Sequence, residues 1–236
     1  RYPSPGKNPE GIVERVLGDA FSPEADLMTV IYRQDLPEPG YFPEEVNEQA
    51  VETTNKISPE EIRGREDLRD ELVYTIDGDD AKDFDDAISL KKNSKGNYLL
   101  GIHIADVSHY VREGTQIDVE AYLRGTSVYL LDTVIPMLPF ELSNDICSLK
   151  PAEDRLTLSL LMEIDPRGKV VSTAVKNAVI NSKSRLTYSE VNDFLNGEAS
   201  QATVEKLTPV SESLRMSHEL AQKIRDIRKK RGSVMD

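Results

Sequence analysis

The chain has 236 residues, of which 38% are hydrophobic and 30% are charged, and its formal net charge is −13. This composition predicts a soluble globular protein, because the chain lacks both an apolar run of about 18 residues and a signal-peptide pattern. The negative charge argues against nucleic-acid binding, since Lys and Arg contacts to phosphate dominate that affinity.

The N-terminal region is predicted to hold one strand and two short helices. Residues 11–18 alternate apolar and polar side chains, a pattern typical of a strand. A connector follows that contains Pro37, Pro39 and Pro43. We predict a short helix over residues 43–54 and a second helix start at Ser58-Pro59, with serine as the cap and proline at the first helical position.

The later part of the chain predicts an α+β fold. Strands of two hairpins are expected over residues 87–91 with 98–104 and over residues 155–164 with 170–182. Helices are expected over residues 118–124, over residues 188–195, and along an amphipathic stretch at about 207–231. We therefore predict a mixed or antiparallel sheet with hairpins and flanking helices.

Six aspartates crowd into residues 77–86, between two apolar runs: Asp77, Asp79, Asp80, Asp83, Asp85 and Asp86. Two carboxylates about 4 Å apart repel by about 1 kcal/mol in water and about 4 kcal/mol at a protein surface. A folded chain that gathers several of them needs a compensating cation or protons, and hard Mg²⁺ or Mn²⁺ suits an all-oxygen site. The alternative is a solvated turn, because Asp and Gly are common turn residues.

Two other acidic motifs were compared with this segment. A calcium-binding EF-hand loop that began at Asp77 would need glycine and glutamate where the chain has Lys82 and Ile88. A phosphatase of the haloacid dehalogenase type fits the opening, with Asp77 as nucleophile and Asp79 as acid or base. It fits less well at Ala81 and Lys82, and it stays open as an alternative.

Four further motifs follow the acidic segment: Ile104-Ala-Asp-Val-Ser-His-Tyr-Val111, Arg124-Gly-Thr-Ser-Val-Tyr129, Ile135-Pro-Met-Leu-Pro139 and Leu142-Ser-Asn-Asp-Ile-Cys-Ser-Leu149. Together with residues 75–87 they resemble the ribonuclease II/R catalytic domain, and its ribonuclease R branch most closely. The resemblance implies that residues 58–236 are the N-terminal part of an incomplete catalytic domain. It also implies that residues 1–20 close a cold-shock-like β-barrel that binds RNA, and that residues 21–57 are a linker.

The same resemblance implies a site. Four aspartates, Asp77, Asp83, Asp85 and Asp86, would surround the scissile phosphate and hold Mg²⁺, or Mn²⁺, in a two-metal hydrolysis. Asp85 would also help to activate the attacking water, whereas Asp79 and Asp80 lie outside the four. Tyr129 would stack on a base at the RNA 3′ end, since stacking tolerates every base. The alternative for Tyr129 is a strand residue that fills the core.

The implied function is processive 3′→5′ hydrolysis of RNA, from a single-stranded 3′ end, to nucleoside 5′-monophosphates. Because the rest of the family's domain supplies further RNA contacts, we expect this chain alone to be weakly active or inactive. A non-catalytic fragment that binds RNA or a partner is a second alternative.

Charge and cysteine content complete the prediction. Much of the excess acid lies in residues 38–71, and the basic residues of 223–231 either follow a phosphate backbone or form a solvated helix face.

The single cysteine, Cys147, cannot form an internal disulfide, which fits a reducing cytoplasm, and we interpret it as a small buried hydrophobe.

Overall fold

A computed structural model describes residues 11–53, 57–131 and 133–233. Its strands are β1 (Glu66–Leu68), β2 (Val73–Asp77), β3 (Asp86–Lys92), β4 (Tyr98–Ala105), β5 (Val128–Tyr129), β6 (Val134–Ile135), β7 (Asp154–Ile164), β8 (Val170–Asn181) and β9 (Ser184–Thr187). Its helices are α1 (Pro23–Arg33), α2 (Glu44–Glu52), α3 (Pro59–Ile62), α4 (Val107–Tyr110), α5 (Gln116–Arg124), α6 (Tyr188–Asn196), α7 (Gln201–Leu207) and α8 (Ser211–Lys230). Among the described residues, no helix has the length and apolar character needed to cross a membrane.

Seven strands form one mixed sheet in the order β1-β8-β7-β4-β3-β2-β9, and β5 pairs with β6 in a separate ribbon. The β1/β8 and β2/β9 pairs are parallel, and the other neighbours in the large sheet are antiparallel. Strands β1, β2, β4, β8 and β9 therefore end at the edge where β3 and β7 begin. We call this the functional edge, because the acidic segment lies there.

Both hairpins form where alternation predicted them. In the first, the Asn93 side chain accepts hydrogen bonds from the backbone amides of Lys95 and Asn97, at 2.9 and 3.0 Å. In the second, the Asp165 side chain accepts hydrogen bonds from the backbone amides of Arg167 and Lys169. The α+β prediction is confirmed, because the mixed sheet and flanking helices are present.

Helices cover one face of the sheet through two apolar clusters. Tyr74 of β2 is fully buried with Leu186, Leu207 and Leu214, and its hydroxyl lies 3.1 Å from the Ser213 hydroxyl of α8. Further along α8, Leu220 packs against the end of the first hairpin. On the other face, a third cluster that includes Val73, Phe84 and Ala87 lies directly beneath the acidic segment.

The N-terminal predictions need correction. Residues 11–17 have no regular secondary structure, so the strand over residues 11–18 is wrong, and residues 1–10 lie outside the described part of the chain. The segment that was interpreted as a linker contains α1, in which the Ser22 hydroxyl accepts a hydrogen bond from the Ala25 amide at 3.1 Å. Ser22-Pro23 is the same serine-proline start that correctly marked α3, and it was missed.

Four predicted helices have different bounds. The helix α5 begins at Gln116 and not at 118, and α6 ends at Asn196 and not at 195. The helix over residues 43–54 is α2, which ends at Glu52, and Thr54 is outside the described residues. The amphipathic stretch at 207–231 is not one helix, because a 3₁₀ turn over Thr208–Val210 separates α7 from α8. Pro209 in that turn has no backbone N–H to continue an α-helix.

Candidate functional site

The acidic segment joins two neighbouring strands at the functional edge. Asp77 is the last residue of β2 and Asp86 is the first residue of β3, so residues 78–85, which we call the acidic loop, begin and end side by side. Because β2 and β3 are antiparallel neighbours, Asp77 and Asp86 lie at the same end of the strand pair although they are nine residues apart in sequence.

The backbone of the acidic loop is held by hydrogen bonds, and its carboxylates take little part in them. The Ser148 hydroxyl donates to the Lys82 carbonyl at 2.8 Å and accepts from the Phe84 amide at 3.1 Å. The amides of Leu149 and Ala105 donate to the carbonyls of Phe84 and Asp85, both at 2.9 Å. The segment 142–149 therefore positions the loop while leaving its acidic side chains available.

The carboxylates of the four predicted ligands act on one another electrostatically. Partial burial raises the pKa of Asp77, and the charges of Asp86 and Asp83 raise it further, while the nearby Thr75 hydroxyl and the Arg185 charge oppose the increase. Loss of hydration, followed by the charges of Asp83, Asp86 and Asp77, raises the pKa of Asp85. The four side chains thus share one region of negative potential.

One oxygen of this group is buried without a partner. The Oδ2 atom of Asp77 is shielded from solvent and accepts no hydrogen bond. A buried carboxylate oxygen is costly to leave unpaired, so a cation or a water at this point would stabilise it. The donor chemistry, oxygen only, suits Mg²⁺ or Mn²⁺.

The positions of the side chains are less compact than a loaded metal site. Within the described residues, no three acidic, histidine or cysteine side chains are close enough to hold one ion together. The assignment of Asp77, Asp83, Asp85 and Asp86 as ligands therefore stays a prediction, supported by their shared edge and mutual repulsion.

Asp79 faces a different neighbour. Its Oδ2 atom accepts a hydrogen bond from the Ser189 hydroxyl, at 3.1 Å, in the first turn of α6. Both Asp79 and Asp80 are exposed on the outer part of the loop. This placement is consistent with their exclusion from the four predicted ligands.

Tyr129 lies beside the acidic loop, on β5. Its side chain is 67% exposed, which excludes the alternative that it fills the core. Its hydroxyl donates to the Oδ2 atom of Asp83 at 3.2 Å, so the ring lies next to the predicted metal ligands. An exposed ring in this place is free to stack on a base, and base stacking itself stays a prediction.

Arg185 is the residue at this site that the sequence analysis missed. It lies on β9 directly beside Thr75, and its Nη2 atom donates to the carbonyls of Gly78 and Asp79, both at 2.7 Å. No motif identified it, because β9 is four residues long and was not predicted as a strand. Only the parallel pairing of β9 with β2 places this arginine at the loop.

Cys147 and the basic stretch 223–231 lie outside the acidic loop. Cys147 is buried, which confirms the interpretation as a small buried hydrophobe, and burial raises the pKa of its thiol to about 12. In the basic stretch 223–231, Lys223 bonds to Glu219 at 2.7 Å and to the Tyr98 hydroxyl at 3.0 Å, so it supports packing. Arg225, Arg228 and Arg231 are exposed, which leaves both readings of the stretch open.

Comparison with known proteins gives a consistent result. Residues 65–235 match the RNB domain. The chain is 55% identical over 236 residues to ribonuclease R from Thermotoga maritima, covering 100% of this chain and 33% of that protein. It is 42% identical over 236 residues to ribonuclease R 2 from Lactococcus lactis, covering 99% of this chain and 35% of that protein. The chain thus spans about a third of the length of these relatives.

Solved structures show the same fold. Mycoplasma genitalium RNase R in complex with ribose-methylated single-stranded RNA superposes with a TM-score of 0.85 at 32% identity, covering 94% of this chain and 34% of that one. Yeast Ssd1, a pseudonuclease, superposes with a TM-score of 0.67 at 19% identity, covering 84% of this chain and 25% of that one. The second likeness concerns the fold alone, so catalysis has to be argued from the acidic side chains.

The family match favours the nuclease interpretation over the haloacid dehalogenase alternative. It covers the acidic loop, Tyr129 and Arg185, and it agrees with the motifs from which the resemblance was inferred. The chain belongs to the RNB domain family.

Proposed function

We propose that the whole protein containing this chain is a metal-dependent 3′→5′ exoribonuclease that degrades RNA processively to nucleoside 5′-monophosphates. The observation that carries the proposal is the group of four aspartates at one sheet edge. The charges of neighbouring aspartates raise the pKa values of Asp77 and Asp85, and one buried oxygen of Asp77 lacks a hydrogen-bond partner. The relatives named ribonuclease R and the neighbours solved with single- and double-stranded RNA support it.

Each aspartate has a role in this proposal. Asp77, Asp83 and Asp86 hold Mg²⁺, with Mn²⁺ as a substitute, and Asp85 both holds metal and orients the attacking water. When bound, a pair of divalent ions would supply a water of lowered pKa and neutralise the leaving oxygen. The contribution of the chain is a rigid loop backbone, fixed by Ser148, that delivers oxygen ligands to one edge.

The substrate is the single-stranded 3′ end of RNA. Tyr129 stacks on a base near that end while the neighbouring aspartates hold the scissile phosphate. Stacking is worth about 1–3 kcal/mol per base and does not depend on sequence, which suits degradation of any RNA. The net charge of −13 does not prevent this binding, because divalent ions would offset four of the carboxylates.

Two further points belong to the proposal. Because the relatives are about three times as long as this chain, we infer that the chain alone cleaves RNA weakly or not at all. We also place the protein in the cytoplasm, where a free buried thiol such as that of Cys147 stays reduced.

A labelled-RNA assay tests the proposal. The whole protein is incubated with RNA carrying a 5′ label or, in parallel, a 3′ label, with Mg²⁺ and with a chelator. We expect immediate release of the 3′ label as a 5′-mononucleotide, conversion of the 5′-labelled RNA to a short end product without accumulation of intermediates, and no reaction in chelator. Internal cleavage products, or an acid-stable phospho-aspartate on Asp77, would contradict it.

A further inference from the structure

Arg185 brings a positive charge to the acidic loop, but its hydrogen bonds go to the loop backbone and not to the carboxylates. Its Nη2 atom bonds to two successive backbone carbonyls, those of Gly78 and Asp79. These are the two residues that follow Asp77, so the arginine fixes the chain at the point where it leaves β2. An arginine placed to cancel acidic charge would instead bond to carboxylate oxygens.

The surroundings of Arg185 hold its side chain in one position. The residue is half-buried, and its guanidinium carbon lies 5.6 Å from the centre of the Phe84 ring, so both ends of the acidic loop contact this side chain. Phe84 in turn belongs to the apolar cluster beneath the loop. The arginine therefore links the start of the loop to the core below its end.

Three buried polar side-chain atoms without hydrogen-bond partners lie on the paired strands β2 and β9. They are Thr75 Oγ1, Asp77 Oδ2 and Arg185 Nε, out of five such side-chain atoms among the described residues. Thr75 and Arg185 are paired in register, and Asp77 is two residues further along β2, on the same face. The strand pair therefore carries a carboxylate oxygen without a donor, on Asp77, and an N–H donor without an acceptor, on Arg185.

We propose that Arg185 is a positioning residue: it fixes the start of the acidic loop so that the Asp77 carboxylate remains open to a divalent cation. The proposal rests on the proposed function, because it assigns Asp77 to a metal. It adds a residue that the acidic motif does not contain.

Two effects of Arg185 on metal binding have opposite signs, which makes the proposal testable. Its positive charge repels a cation, so its removal would strengthen metal binding if charge were its only effect. Its bonds to the loop organise the ligands, so its removal would weaken metal binding if positioning dominates. The direction of the change in affinity decides between the two.

The experiment is a calorimetric titration of the whole protein with Mn²⁺ alone, for the wild type, R185M and R185K. We expect R185M to bind Mn²⁺ about 10-fold more weakly. R185K keeps the charge but replaces a planar fork with a flexible ammonium, so we expect a smaller loss. Unchanged or tighter binding by R185M would overturn the proposal.

Thermal unfolding, followed by circular dichroism, shows which variants are folded. If R185M does not fold, R185K decides alone: weaker binding supports positioning, and wild-type affinity overturns it. The matched control is R215M, which removes an arginine that stacks on Phe194 at 4.9 Å, away from the acidic loop. We expect R215M to bind Mn²⁺ like the wild type, and a loss equal to that of R185M would also overturn the proposal.

The outcome can be separated from failure of the proposed function. If the wild-type protein neither binds Mn²⁺ nor cleaves RNA, both the function and this inference are wrong. If it cleaves RNA but binds no Mn²⁺, this inference is wrong. If the wild type binds Mn²⁺ and the whole protein cleaves RNA, while R185M binds as tightly, only the inference is wrong.

Discussion

Two groups of acidic side chains lie on the functional edge of the sheet, and they differ in what neutralises them. Beside β1, β7 and β8, Arg69 bonds to Asp67 at 2.6 Å and to Asp154 at 3.2 Å, and Asn181 bonds to Asp154 at 2.8 Å. These residues line a polar cavity of about 370 Å³, and we call them the ion-paired group. At the other end of the edge, the carboxylates of the acidic loop face one another.

The pKa values record the difference. Hydrogen bonds from Arg69 lower the pKa of Asp67 to about 2, whereas burial and neighbouring carboxylates raise the pKa values of Asp77 and Asp85. The same residue type, at the same edge, is satisfied by the protein in one group and left unsatisfied in the other. Arg69 bonds to carboxylate oxygens, whereas Arg185 bonds to backbone carbonyls of the acidic loop. This difference supports the proposal that the acidic loop binds a cation from outside the chain.

The largest expected effect separates the two groups by activity. In the whole protein, Asp85→Asn should reduce the rate of RNA hydrolysis by about 100-fold or more, because a ligand that also orients water is lost. The matched control is Asp67→Asn, which should hydrolyse RNA at nearly the wild-type rate. Release of labelled mononucleotide measures both, and near-wild-type activity of Asp85→Asn with unchanged RNA binding would remove its assigned role.

Mg²⁺ should raise the free energy of unfolding by binding to the acidic loop and not to the ion-paired group. At Mg²⁺ concentrations about 100 times the dissociation constant, binding adds about 2.7 kcal/mol to the free energy of unfolding. We expect thermal unfolding of the wild type to shift upward with Mg²⁺, and the shift to be lost in Asp77→Asn but kept in Asp154→Asn. Equal shifts in both variants would place the Mg²⁺ site elsewhere.

Tyr129 tests whether the acidic loop works together with a neighbouring ring. Tyr129→Ala should weaken binding of single-stranded RNA by about 1–3 kcal/mol, the value of one stacked base. Tyr129→Phe keeps the ring and loses only the hydrogen bond to Asp83, so its RNA affinity should stay close to that of the wild type. Fluorescence anisotropy with labelled RNA and Mg²⁺, in an Asp85→Asn background to prevent hydrolysis, gives both affinities, and equal losses would exclude stacking.

Replacement of one aspartate by asparagine should raise the unfolding midpoint in the acidic loop and lower it in the ion-paired group. Without divalent ions at pH 7, Asp77→Asn relieves a repulsion of about 1 kcal/mol. For a domain of this size, that relief raises the unfolding midpoint by about 2–4 °C. Asp67→Asn removes an attraction to Arg69 at an exposed site, so its midpoint should fall slightly. Calorimetric melting compares them, and a shift of the same sign in both would contradict the distinction.

The smallest effect is the pH dependence of the ion-paired group. Because the folded-state pKa of Asp67 is lowered from 3.8 to about 2, its contribution to stability is present above pH 3.8 and is lost as the pH falls toward 2. The difference in unfolding midpoint between wild type and Asp67→Asn should therefore be constant near neutral pH and disappear by about pH 2. A difference that grows with acidification would have the wrong sign.

The predictable parts of the fold depended on local patterns. Alternation and turn residues located β3, β4, β7 and β8, because these strands pair with sequence neighbours through short turns. Strands β1 and β9 were missed, since they are short and pair in parallel with strands that are distant along the chain. Pro209 was present in the sequence, yet its interruption of the amphipathic stretch was overlooked.

The sequence by itself was enough to identify the acidic loop and the family. It also limited Tyr129 to two alternatives, an exposed stacking ring or a buried core residue. These inferences depend on residues that are close together in the chain. Only the tertiary structure decided that Tyr129 reaches Asp83 and that Arg185 reaches Gly78 and Asp79. These contacts join strands β5 and β9 to the acidic loop, across 46 residues for Tyr129 and 106 or 107 residues for Arg185. No local pattern encodes such pairs, because strand order in a sheet is set by packing of the whole core.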